Sequence, residues 1–110
     1  MIKNMNGELP LDITRNVKII DYLKGEILTD IADLFKLMNR ESEDIHETAL
    51  DILSNIVIES YVLSKRIGIS YESLEIQIKE KLRVGIDENN DIEKWYKDLS
   101  SLCNHISSNR

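Results

Sequence analysis

Apolar residues recur along most of the chain at spacings of three and four, and strict alternation is scarcely present, so helices are expected throughout and no sheet. Ile13, Val17, Ile20, Ile27, Ile31, Leu34 and Phe35 trace one face of a first long helix, capped by Asp12 and running to about Met38. Gly25 weakens its middle by about 1 kcal/mol relative to alanine and marks a candidate kink. After the polar connection NRESED, a second long helix is expected from about Glu43 to Ile67. Its apolar face is Ile45, Ala49, Ile52, Leu53, Ile56, Leu63 and Ile67, and Gly68 supplies the stop. Ser70 is the expected cap of a third helix, YESLEIQIKEKLRV, ending at Gly85; the turn-forming DENN then leads into a final helix, DIEKWYKDLSSLCNHI. Two long helices joined by about five residues must be antiparallel neighbours. The expected fold is all-α: a long antiparallel helical hairpin plus two shorter helices, four-helix-bundle-like, forming a single domain over residues 12–106. Residues 1–11 are expected to be disordered or extended, and 107–110 a frayed tail.

The polar positions have a pattern of their own. Glu26, Asp30 and Asp33 share a narrow arc of the first helix, away from Ile31 and Phe35. Asp44, Glu47, Asp51 and Asn55 fall along a comparable strip of the second, away from the face centred on Ala49 and Ile56. Charge runs on amphipathic helices are ordinarily solvated outer faces. Here, however, Ile19 and Leu37 share the arc of Glu26 and Asp30, while Ile58 and Val62 share that of Asp51 and Asn55. Carboxylates interleaved with apolar residues suggest a surface that is partly covered, by another subunit or as a lined pocket, and a homo-oligomer (dimer or tetramer) would satisfy both strips. Acids at i and i+4 on one helix, facing acids or amides on a neighbour, are also the arrangement a bundle uses to hold a divalent cation.

Composition narrows the classes. The chain has 110 residues, 42% hydrophobic and 31% charged, enough for one small domain with a single core. A net charge of −6 argues against DNA or RNA as partners, because phosphate tracking needs clustered Lys and Arg. A free nucleotide stays compatible, because a divalent cation can sit between its phosphates and the acids. No apolar stretch approaches the ~18 residues of a membrane span and MIKNMNGELP lacks the apolar run of a signal peptide, so a cytoplasmic protein without a membrane partner is expected. Cys103 stands alone and His46 and His105 have no ligand-spaced neighbours; all three are read as ordinary side chains. Tyr22 and Tyr61 are read as core or interface residues, and Trp95 and Tyr96 as packing anchors with a base-stacking role as the alternative.

The order GEILTDIADLFKLM, a polar break, ETALDILSNIVIESYVLSKRIGIS and a helix ending EKLRVGI resembles the MazG-like family of all-α nucleoside triphosphate pyrophosphohydrolases, over about residues 12–86. DITRNVKIIDYLKGEIL and IEKWYKDLSSLCNH are similar to the small Gram-positive bacterial type. The resemblance implies a Mg²⁺- or Mn²⁺-dependent enzyme that cleaves a nucleoside triphosphate between its α and β phosphates, using an E-E-x-x-E motif on one helix and E-x-x-D on the next. Laid on EILTD, the first motif keeps Glu26 and Asp30 as catalytic and metal-binding acids but puts Ile27 at its second Glu. Laid at its usual distance before Gly68, the second puts Ile52 on the Glu and Asn55 on the Asp. Asn55 lacks a carboxylate's charge and Ile27 offers no ligand, so the implied metal site is incomplete, with Asp51 and Glu47 on the same strip as substitutes and Asp33 opposite. Lys81 and Arg83 stand where relatives carry phosphate-binding basic residues; read by themselves they are solvated helix charges. The alternative to an enzyme is a catalytically degenerate module for nucleotide sensing or protein interaction.

Overall fold

The computed structural model describes residues 11–39 and 45–108, and every regular element among them is a helix. The expected N-terminal stretch over residues 1–10, most of the NRESED connection (40–44, with Asp44) and the last two residues lie outside the described ones. The chain divides into two compact units, Met1–Ile69 and Ser70–Arg110. The first holds α1 (Leu11–Leu37) and α2 (Ile45–Arg66); the second holds α3 (Tyr71–Asp87), α4 (Asp91–Tyr96) and α5 (Asp98–Ser108).

In the first unit α1 and α2 form the expected antiparallel hairpin. Asn16, near the start of α1, donates from Nδ2 to the carbonyl of Arg66, the last residue of α2, at 2.9 Å. That bond satisfies one of the carbonyls a helix C-terminus leaves unpaired. The stop at Gly68 is a Schellman turn: Gly68 N donates to Lys65 O at 3.1 Å and Ile69 N to Ser64 O at 2.9 Å, with Gly68 at φ +94°. Only glycine adopts that backbone without steric cost. Asp12 lies inside the first turn of α1, where its charge favours the helix dipole, and α1 runs unbroken through Gly25.

The seam between the two helices is narrow. Ile20, Leu23, Ile27, Asp30, Leu34 and Leu37 of α1 are buried or half-buried, as are Ile45, Ala49, Ile52, Ile56, Glu59 and Leu63 of α2. Their alternating spacings of three and four are those of the stripe that paired helices cover. This corrects the expected core: Val17, Ile31, Phe35, Leu53 and Ile67 are exposed, Phe35 to 74%. Each helix carries an apolar arc wider than one neighbour can cover, and the pairing selects the edge through Leu23 and Leu37 instead. Asp30, on the arc away from Ile31 and Phe35, lies on this covered edge as well.

In the second unit Ser70 caps α3 as expected, its Oγ accepting from Ser73 N at 3.1 Å. Gly85 does not end α3, which continues to Asp87. A Cβ at this buried position would come within 2.7 Å of Leu99 Cδ1, so the glycine permits close approach of α3 and α5. The expected final helix is two helices, broken at Lys97, whose φ of 60° is left-handed. The break is stabilised by Glu93, a buried carboxylate that accepts from Ser100 N at 3.0 Å and from Ser100 Oγ. These bonds hold the Glu93 carboxyl below the usual range. Trp95 and Tyr96, read as anchors, are both exposed, and so is Tyr22. Among the described residues no helix is long and apolar enough to cross a membrane.

Candidate active site

Two acids interrupt the apolar seam of the hairpin. Asp30 stands two turns after Leu23 and two before Leu37 on the covered face of α1, and only 9% of it is exposed. Glu59 stands between Ile56 and Leu63 on the covered face of α2. The helical register therefore brings the two carboxyls toward each other across the seam, where the Glu59 carboxyl can share a hydrogen bond with Asp30. A carboxylate only accepts, so the bond requires a proton between the two groups. The Glu59 carboxyl is accordingly pushed up to about 7, first by that bond with Asp30, then by loss of water, and then by the negative charges of Asp30 and Glu26.

Even so, the pair is not satisfied. Asp30 Oδ2 and Glu59 Oε1 are withdrawn from solvent and have no hydrogen-bond partner. Buried oxygens of this kind are costly unless something donates to them or coordinates them. Glu26, one turn before Asp30 and half-buried, adds negative charge to the same place.

The other acids expected at the site lie elsewhere on the hairpin. Glu47, Asp51 and Asn55 are exposed, outside the covered stripe of α2. Asp33 is also exposed and borders a groove with Lys36, Leu37, Thr48 and Ile52. Ile27 and Ile52, at the positions where the resemblance places glutamates, serve the apolar seam. Lys81 and Arg83 belong to the second unit and are exposed on α3. Two residues apart on one helix, they do not face each other, and they border different grooves. Arg83 is paired with Glu80 at 2.5 Å and with Asp87 at 3.5 Å.

Glu59 is absent from the sequence-derived set, although its signal is present. The apolar positions 45, 49, 52, 56 and 63 predict a covered residue at 59, and an acid there breaks the binary pattern.

Among the described residues no group of three or more His, Cys, Asp or Glu converges to hold a metal ion. The donors present nevertheless suit Mg²⁺ or Mn²⁺. Mg²⁺ is commonly held by one or two carboxylates together with waters and substrate phosphates, and Asp30 and Glu59 offer two hard oxygens with nothing else to bind.

Comparison with curated proteins and with solved structures found no match. A model of the MazG-like family matches residues 13–99, which takes in both helices of the hairpin, all of α3 and α4 and the start of α5. The hairpin order, the Gly68 turn and that match agree, and the chain belongs to the MazG-like family.

Proposed function

We propose that this chain is a cytoplasmic nucleotide pyrophosphohydrolase-type protein that, with Mg²⁺ or Mn²⁺, takes a nucleoside triphosphate and water to the monophosphate, pyrophosphate and a proton. The observation that carries the reading is Asp30, a carboxylate nine-tenths buried in an apolar seam, with one oxygen lacking any donor, in a MazG-like chain. A group so costly to bury is characteristic of functional sites. Glu26 and Asp30 present acids one turn apart on one face of α1, and Leu23, Ile27 and Ile52 are buried or half-buried residues of the same seam. A divalent cation held by these acids would supply charge neutralisation to the phosphates and would favour activation of water as the nucleophile.

The second reading is a degenerate relative that senses nucleotides or binds proteins, favoured by apolar Ile27 and Ile52 and by the exposed amide Asn55. Incubation with a panel of ordinary and modified nucleotides plus Mg²⁺ or Mn²⁺ separates the two. Pyrophosphate release that Asp30→Asn reduces to background is the expected result; nucleotide binding without release selects the degenerate module.

The same reading includes self-association. Leu28, Ile31, Phe35, Leu53, Val57 and Ile58 are all exposed on the hairpin, and apolar side chains clustered at a surface are a common mark of an interaction site. Sedimentation at micromolar concentration is expected to give a dimer or tetramer, and a monomer there removes this part of the proposal.

A further inference from the structure

The second-helix acids of the family pattern are missing here, since Ile52 and Asn55 occupy their places. Yet α2 does present one acid to α1. Glu59 lies one turn beyond Asn55, on the covered stripe, and meets Asp30. We propose that Glu59 is the second-helix ligand for a divalent cation in this chain, acting with Asp30 across the seam, and that phosphate oxygens of a bound nucleotide complete the coordination. The inference rests on the pyrophosphohydrolase-type reading for the identity of the nucleotide, but not for the cation site itself.

Three observations support it. Asp30 is nine-tenths buried and its Oδ2 has no partner, so the site contains an acceptor aimed where no donor exists. Glu59 Oε1 is equally withdrawn from solvent and equally unpartnered, and it comes from the opposite helix, so one ion can bridge both. The described residues supply no third acid in ligating position. Two carboxylates leave most of an octahedral shell to waters and phosphates, which is the usual way Mg²⁺ is held at nucleotide sites. Cation affinity should therefore be low for the protein alone and rise when a triphosphate brings its own oxygens. The strip of Glu47, Asp51 and Asn55, being exposed and off the covered face, takes no part.

The test titrates Mn²⁺ into the full chain by calorimetry and by the electron paramagnetic resonance signal of free Mn²⁺, with and without an α,β-methylene nucleoside triphosphate that cannot be cleaved. Mn²⁺ is expected to bind weakly alone and at least about 10-fold more tightly with the nucleotide present. Glu59→Gln should weaken the nucleotide-assisted binding by about 10–100-fold or more, since loss of even an outer-shell partner of a metal ligand costs that much. Glu59→Asp, which keeps the charge but shortens its reach, should fall between, and Asp51→Asn should bind as the wild type does. Wild-type affinity in Glu59→Gln, equal affinity with and without nucleotide, or equal loss in Asp51→Asn would each overturn the proposal. Should Glu59→Gln lose helical circular dichroism, Glu59→Asp carries the comparison, and wild-type affinity there overturns it likewise. Pyrophosphate release that survives in a Glu59→Gln protein of wild-type affinity rejects this inference and spares the enzymatic reading. Glu59-dependent Mn²⁺ binding without pyrophosphate release does the reverse.

Discussion

Replacing Asp30 and Glu59 together by leucine is expected to stabilise the protein while abolishing cation binding and any turnover. Both residues occupy stripe positions that otherwise carry Leu, Ile or Ala, and both have a buried oxygen without a partner. Two leucines would remove the mutual repulsion and the desolvation cost and would extend the apolar contact from Leu23 to Leu37. Replacing buried ionic groups by packed apolar side chains gains about 1–4 kcal/mol in favourable cases, and a pair of like charge lacks even the attraction that offsets that gain in a salt bridge. Urea denaturation at pH 7.5 in chelator should show a higher midpoint at unchanged slope. A lower midpoint would mean that the acids make a net stabilising contribution to the hairpin, which their unpartnered oxygens do not explain. The expected trade of stability for function is common at sites held in costly arrangements.

The second large effect concerns pH. Glu59 titrates at about 7 in the folded chain against an ordinary value of 4.5, so between those values the folded state binds a proton that the unfolded state does not. Its contribution is fully present below about pH 4.5 and is lost as pH rises through about 7. Glu93 acts in the opposite sense, because its carboxyl is held low by Ser100: its contribution is present above the ordinary carboxylate range and is lost as pH falls through the lowered value. In chelator the thermal midpoint should therefore be highest at about pH 5 and decline toward pH 8. Glu59→Gln should flatten the decline, since a neutral amide has no proton to lose. A decline that persists in that variant would place its origin at another group.

Which parts of this molecule could be read in advance follows from how local their causes are. Gly68 and Ser70 were legible because a left-handed stop and a side-chain cap depend on one or two residues. The existence of both long helices was legible from apolar spacing, and their antiparallel pairing from the short connection. The covered face of α2 was largely legible through Ile45, Ala49, Ile52, Ile56 and Leu63, but that of α1 only in part, because Ile31 and Phe35 and the alternative Leu23 and Leu37 are equally apolar on a single helix and only the partner chooses between them. Glu26 and Asp30 were legible as neighbours on one arc, whereas Glu59 was not, because its place on the covered stripe of α2 depends on how the two helices pair. Gly85 looked like a stop because its cause, the approach of Leu99, is tertiary. The break at Lys97 was hidden for the same reason, since it depends on the Glu93 side chain reaching Ser100 seven residues on.

The bond from Asn16 to the Arg66 carbonyl has a consequence at the middle of the hairpin. A stripe that repeats every seven residues lets two helices slide by one repeat and find apolar neighbours again. Slid in that way, Asp30 would face a hydrocarbon side chain and Glu59 another. A polar clasp at the open end marks one alignment among these near-equivalents, as a lone buried amide does for the strands of a coiled coil. Asn16 is thus an index mark for the seam, setting from about two turns before Leu23 which carboxyl meets which.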